Sequence, residues 1–157
     1  MVINFGKHAG KSVEFLLLKK PDYVRWVLDL HDAMGPLLSV KNEMIRLIEI
    51  FNQKPFLKKC IGCKERVAIR GSFCEDNPIP WWWCNECEPD SIETLKGRIH
   101  LVATYTQALD HAYTYCGGRK ADLNFLIRIL AEAKGLPKRV SEKQAKEFFA
   151  AHQPCIK

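Results

Sequence analysis

Cys60-Ile61-Gly62-Cys63, then 20 residues, then Cys84-Asn85-Glu86-Cys87: this stretch decides how the chain is read. A Cys-x2-Cys pair closes a tight turn that aims two thiolates at one point. Two such turns carried on hairpins complete the tetrahedral four-sulfur shell that zinc prefers. The interval matches the spacing at which paired knuckles hold one metal ion. Cys60, Cys63, Cys84 and Cys87 are therefore the expected ligands of one structural Zn2+. The competing explanation is four ordinary buried cysteines, or a disulfide.

Seven cysteines is an odd number, and four of them belong to the knuckles. That usage points to a metal in a reducing compartment, hence to a cytoplasmic location, and against a disulfide framework. Cys74, Cys116 and Cys155 are expected to remain thiols. No run approaches the roughly 18 apolar residues of a membrane span. The opening Met1-Val2-Ile3-Asn4-Phe5-Gly6-Lys7 lacks the basic-then-apolar order of a secretory signal.

Working outward, 157 residues hold one ordinary domain or a few small modules that share a core. Three segments are expected: an N-terminal strand-turn-helix module over 1–53, a zinc module over 54–90 and a basic helical region over 91–157. Ser12 reads as the N-cap of a helix over 13–19, and Pro21-Asp22 opens another over 23–30. In the latter Tyr23, Trp26, Val27 and Leu30 share a face and read as core. Gly35-Pro36 reads as a break before a helix over 40–52 that buries Met44, Leu47, Ile48 and Phe51. In the middle segment Val67-Ala68-Ile69 and Trp81-Trp82-Trp83 read as strands, with 71–80 as the loop between them. Ser91 is expected to cap one long helix over 91–115, with Leu95, Ile99, Val102, Leu109 and Ala112 inward and His100 and His111 as structural side chains. Leu123, Leu126, Ile127 and Leu130 stripe the next helix, and Ser141-x2-Gln144 forms a capping box for the last, anchored by Phe148 and Phe149. The fold class is thus α+β, mostly α: a helical body built around a small zinc module of short β-hairpins.

The net charge of +6 is uneven, with nine Lys/Arg against four Asp/Glu in residues 118–157 alone. Such an excess suits an anionic partner, and equally suits a solvated helical face. The tryptophan run is the second unusual feature. On a strand, Trp82 points opposite to Trp81 and Trp83. One face is expected to pack on helices and the other to stay open beside Lys58, Lys59, Lys64, Arg66 and Arg70. Exposed indoles among cations make a base-stacking platform, while the same indoles also suit a protein interface.

Catalytic readings fail on chemistry. Gly6-Lys7-His8-Ala9-Gly10-Lys11-Ser12 has three residues between its glycines where a phosphate-binding loop needs four. Four Cys ligands leave no open position for water on a metal. A zinc deaminase needs His-x-Glu and a Pro before its second Cys pair; this chain has no His-x-Glu, and Trp83 precedes Cys84.

Residues 60–87 resemble a four-cysteine zinc ribbon. Phe5-Gly6-Lys7-x2-Gly10-Lys11, followed by Pro21-Asp22-Tyr23-x2-Trp26, resembles the small C-terminal module of exodeoxyribonuclease X-like proteins, which has counterparts in DNA-metabolism and phage proteins. This second resemblance covers residues 3–30 and implies an accessory module associated with nucleic acid. No ordered set of acidic residues for two metals accompanies it, so nuclease activity does not carry over.

The expectation is a non-catalytic nucleic-acid-binding accessory protein that favours single-stranded DNA. Phosphate contacts would come from Lys7, Lys11, Lys58, Lys59, Arg66 and Arg70, and stacking from Trp81, Trp82 and Trp83. The alternative is an adaptor or inhibitor, of the kind phages and mobile elements encode, that grips an anionic protein partner. Neither reading involves a membrane or a small-molecule substrate.

Overall fold

The computed structural model describes residues 1–74, 77–89 and 91–150. Helices hold 52% of the described residues beside a small antiparallel sheet, so the fold is α+β with the helical part dominant. In chain order the elements are a 3-10 turn at Gly6–His8, α1 (Val13–Lys19), α2 (Pro21–Asp29), α3 (Gly35–Gln53), β1 (Arg70–Cys74), β2 (Asn77–Trp83), α4 (Ser91–Leu95), β3 (Ile99–Val102), α5 (Tyr105–Tyr115), α6 (Lys120–Ala133) and α7 (Glu142–Ala150).

Two helical caps are those the sequence predicts. Ser12 Oγ accepts from the Phe15 N–H at the start of α1. At α7, Ser141 and Gln144 satisfy each other's backbone N–H groups. Met44, Leu47, Ile48 and Phe51 on α3, with Leu123, Leu126, Ile127 and Leu130 on α6, enter one continuous core that reaches from Ile3 to Phe149. Gly35-Pro36, expected as a break, instead starts α3. Proline in the first turn gives up an N–H that has no intrahelical partner there.

Tyr105 joins the two halves of the chain. Residue 21 would supply the helical donor for the Leu17 carbonyl, but it is a proline and has no N–H. The buried Tyr105 hydroxyl donates to that carbonyl at 2.7 Å, from 88 residues away. Its backbone N–H, in the first turn of α5, donates to Asn52 Oδ1 at 2.9 Å. Burial raises the Tyr105 phenol well above its ordinary pKa, and Asp22 adds to this, so it stays a donor.

The expected helix over 91–115 is in fact helix, strand and helix. Gly97, at φ +68, ends the first piece. Ile99–Val102 then pairs antiparallel with β1, and Thr104 and Gln107 form a capping box that begins α5. His100 accordingly lies on a strand, and Leu95 is 87% exposed instead of inward. The side chain of Ser91 lies outside the described residues, as does Cys155. Strand β1 begins at Arg70, not at Val67, and most of the expected loop over 71–80 is strand. Among the described residues the sheet order is β2-β1-β3. Pro78 and Pro80 are tolerated because β2 is an edge strand, whose outer side needs no N–H donor.

The sheet meets the helical body through packed aromatic rings. Trp82 faces inward onto Phe56, with centroids 5.1 Å apart. The Lys134 ammonium lies 4.1 Å from the Phe56 centroid and 5.3 Å from that of Phe51, and donates to the Lys54 carbonyl. Burial and then the nearby Lys54 charge push Lys134 down to about 8 from an ordinary 10.5. The charged form is the one folding disfavours. Folding therefore favours neutral Lys134, a contribution to stability that is fully present above pH 10.5 and is lost as the pH falls to about 8. An NMR titration of the lysine side chains should show Lys134 with a midpoint near 8; a midpoint above 10 would contradict this reading.

Candidate metal centre and the sheet face beside it

Each knuckle hangs from the end of β2. The Lys59 and Val67 backbones bridge to form a short hairpin, and the Ala68 N–H donates to the Lys58 carbonyl at 2.8 Å. Its tip is the first Cys turn, closed by Lys64 N–H to the Cys60 carbonyl at 2.9 Å, with Lys64 in the left-handed region at φ +61. Ile61 N–H donates to the Trp82 carbonyl and Ile69 N–H to that of Trp83, both at 2.8 Å. Cys84 follows directly after β2, so the same strand end carries the second turn. A Cβ on Gly62 would lie 3.0 Å from both Cβ and Sγ of Cys87, so a side chain there would push the two turns apart by a few tenths of an ångström. Arg66 and Glu86 pair across the two knuckles. Both are half exposed, so this pair contributes little to stability.

The result is a compact sulfur cluster. The Sγ atoms of Cys60, Cys63, Cys84 and Cys87 all lie within 4.8 Å of one another and could hold a metal ion. Among the described residues no cysteine forms a disulfide. Titration reflects the crowding. Burial would raise the Cys60 thiol, but the backbone N–H groups of Cys63, Cys84 and Gly62 outweigh it and bring the thiol down to about 6. Cys84 is also lowered: burial opposes, and the N–H groups of Cys87 and Glu86 prevail. Cys87 is pushed up to about 12, first by the Cys84 sulfur and then by burial and Cys60. Four sulfurs at one point cannot all ionise against their mutual repulsion; a dication among them removes it.

The outer face of the sheet lies beside this cluster. Register sets Ser72 opposite Trp81 and Leu101, with Arg70 opposite Trp83 and Cys74 opposite Ile99. Trp83 Nε1 donates to Ser72 Oγ at 2.8 Å, which satisfies a buried hydroxyl and holds the indole. Trp81 is 51% exposed and lines a cavity of about 200 Å³ with Ile79, Ile99, Cys74 and the Glu93–Arg98 ion pair.

The expected nucleic-acid residues therefore separate into groups. Trp81 is open, Trp83 is half buried on the same face, and Trp82 packs inward onto Phe56. Lys58 is exposed, and Lys59 is exposed with its ammonium on the Glu65 carbonyl. Arg66 is engaged by Glu86, and Arg70 reaches the Cys87 carbonyl at 3.5 Å. Lys7 and Lys11 belong to the N-terminal turn, where Lys11 pairs with Glu142 on α7. Sequence reasoning read Lys64 only as a cation beside the tryptophans, and missed its left-handed turn, Gly62 and the Arg66–Glu86 clasp. Glycine and lysine flanking Cys63 were the available signal for a tight turn. Arg98, brought to Trp81 only by β3, had none.

Among the described residues no helix is long and apolar enough to cross a membrane. Searches of family models, curated proteins and solved structures found no match to this chain.

Proposed function

We propose that the chain is a zinc-ribbon accessory protein that binds single-stranded nucleic acid, DNA in the first instance, without catalysing a reaction on it. Zinc suits a donor set of four thiolates, with Cys60, Cys63, Cys84 and Cys87 as ligands and no position left for water. Bound there, the ion supplies structure: it neutralises the thiolates and locks the two turns. The observation that carries the binding reading is Trp81, an indole half open to solvent on the outer face of the sheet. A flat exposed ring accepts any base, and Lys58 and Lys59 can neutralise phosphates. The resemblance of residues 3–30 to a module of DNA-metabolism proteins agrees with this reading.

Oligonucleotide titrations at several salt concentrations test it. Trp81→Ala should weaken single-strand binding by roughly 1–3 kcal/mol at every salt concentration, because stacking is little screened. Replacing Lys58 and Lys59 by alanine should flatten the salt dependence by about 0.7 in logarithmic slope for each phosphate that is no longer neutralised. Duplex should bind more weakly than single strands. Absence of binding to any oligonucleotide at low ionic strength would overturn the proposal. The exposed Ile79, Leu95 and Leu101 near Trp81 would then favour a protein adaptor, and co-purification would identify its partner.

A further inference from the structure

The N-terminal module carries a ring ladder that starts against the core, where Tyr23 is partly buried, and runs out to solvent at Trp26. Tyr23 and Trp26, three residues apart on α2, lie one above the other with centroids 5.6 Å apart and planes at 27°. His8, from the glycine turn, approaches the Tyr23 ring at 4.4 Å. Sequence periodicity assigns Tyr23 and Trp26 to the core, yet α2 buries Pro21, Val24 and Val27. Trp26 remains 51% exposed. The ladder therefore ends in an open indole, as Trp81 does on the sheet.

Its surroundings are cationic. Burial first lowers the His8 pKa, and the charges of Lys7, Lys20 and Lys120 add to it, with the Asp22 carboxylate opposing. Asp22 is itself paired with Lys120 at 3.2 Å. The site thus combines a stacking surface with an excess of positive charge. A single-stranded polynucleotide offers the complement of both, namely unstacked bases joined by phosphates. An acidic peptide would use the lysines but leave the open indole face unused.

We propose that His8, Tyr23 and Trp26, with Lys7, Lys20 and Lys120, form a second contact for single-stranded nucleic acid, with a base on the outer face of Trp26 and phosphates among the lysines. This rests on the proposed function for the class of ligand, though not on the sheet as the place of binding. α2 packs on α1, α3 and α6, so the contact is built on the helical body and not on the sheet. A strand that reached both places would bind bivalently, the first contact raising the effective concentration of the second.

The experiment is a fluorescence-anisotropy titration of oligothymidylates of increasing length with wild-type protein, Trp26→Ala, Lys20→Gln/Lys120→Gln and Trp81→Ala. Assigned indole N–H resonances are followed in parallel. Trp26→Ala should weaken binding on the order of tenfold, as expected for loss of one stacked base. The lysine pair should reduce the salt slope, and the Trp26 indole resonance should move on adding oligonucleotide. If Trp26→Ala binds within twofold of wild type while Trp81→Ala is weakened, the ladder proposal is wrong and the sheet reading stands. If Trp26→Ala is weakened and Trp81→Ala is not, the ladder stands and the sheet reading fails. If no oligonucleotide binds, both fail, and the lysines and indole are to be assigned to a protein partner.

Discussion

Serine in place of Cys60 or Cys84 should abolish stoichiometric metal binding and lower the melting temperature more than any surface substitution. Both sulfurs are buried, and each contributes one corner of a four-point cluster. Structural zinc in comparable small sites is bound with an apparent free energy of about 10–16 kcal/mol at neutral pH, and much of that is folding free energy. Wild-type protein should contain one zinc per chain by elemental analysis, and a strong chelator should reproduce the serine phenotype. Cys74 lines the cavity beside Trp81 and is outside the sulfur cluster, so Cys74→Ser should leave metal content unchanged. Gly62→Ala should loosen the site, since the added methyl meets Cys87. Metal content that survives Cys60→Ser would refute the ligand assignment.

Tyr105→Ala should destabilise the protein by about 3–5 kcal/mol, the range for deleting a fully buried aromatic ring. The ring is completely buried and meets Phe51 edge-on at 5.5 Å. Tyr105→Phe separates packing from hydrogen bonding. It keeps the ring but leaves the Leu17 carbonyl without its donor, at a cost of about 1–3 kcal/mol. Chemical denaturation should rank the variants wild type, then Phe, then Ala. Equal stability of the Phe variant and wild type would mean that water satisfies the Leu17 carbonyl.

Legibility followed the distance over which each feature is specified. The Cys pairs, the Ser12 cap and the 141–144 capping box each lie within a few residues, and the structure has each where it reads. The α6 stripe was legible because helical periodicity matches one buried face. What failed depended on a remote neighbour. Leu95, Ile99, Val102, Leu109 and Ala112 also satisfy a helical spacing, and only the edge of β1 turns Ile99–Val102 into a strand. Gly97 and the Thr104-x2-Gln107 box were the local clues to that interruption. Helical spacing groups Trp26 with Tyr23, Val27 and Leu30, whereas the buried face of α2 is centred on Pro21, Val24 and Val27. Arg98 reaches Trp81 through the same unread strand, which is why that cavity had no signature in the sequence.

The position of β3 also bears on how the chain folds during synthesis. The knuckles and β1–β2 emerge first, and until residues 99–102 follow, β1 carries an unpaired edge. Such an edge can recruit a strand from a neighbouring nascent chain. The segment that must cover it is one whose apolar spacing also supports a helix, a conflict of local preference with global fold that slows commitment. Pro78 and Pro80 remove donors from the opposite flank of the hairpin, so the interval of exposure is confined to one side. The prolines thus act as a safeguard for a growing polypeptide as well as a feature of the finished sheet.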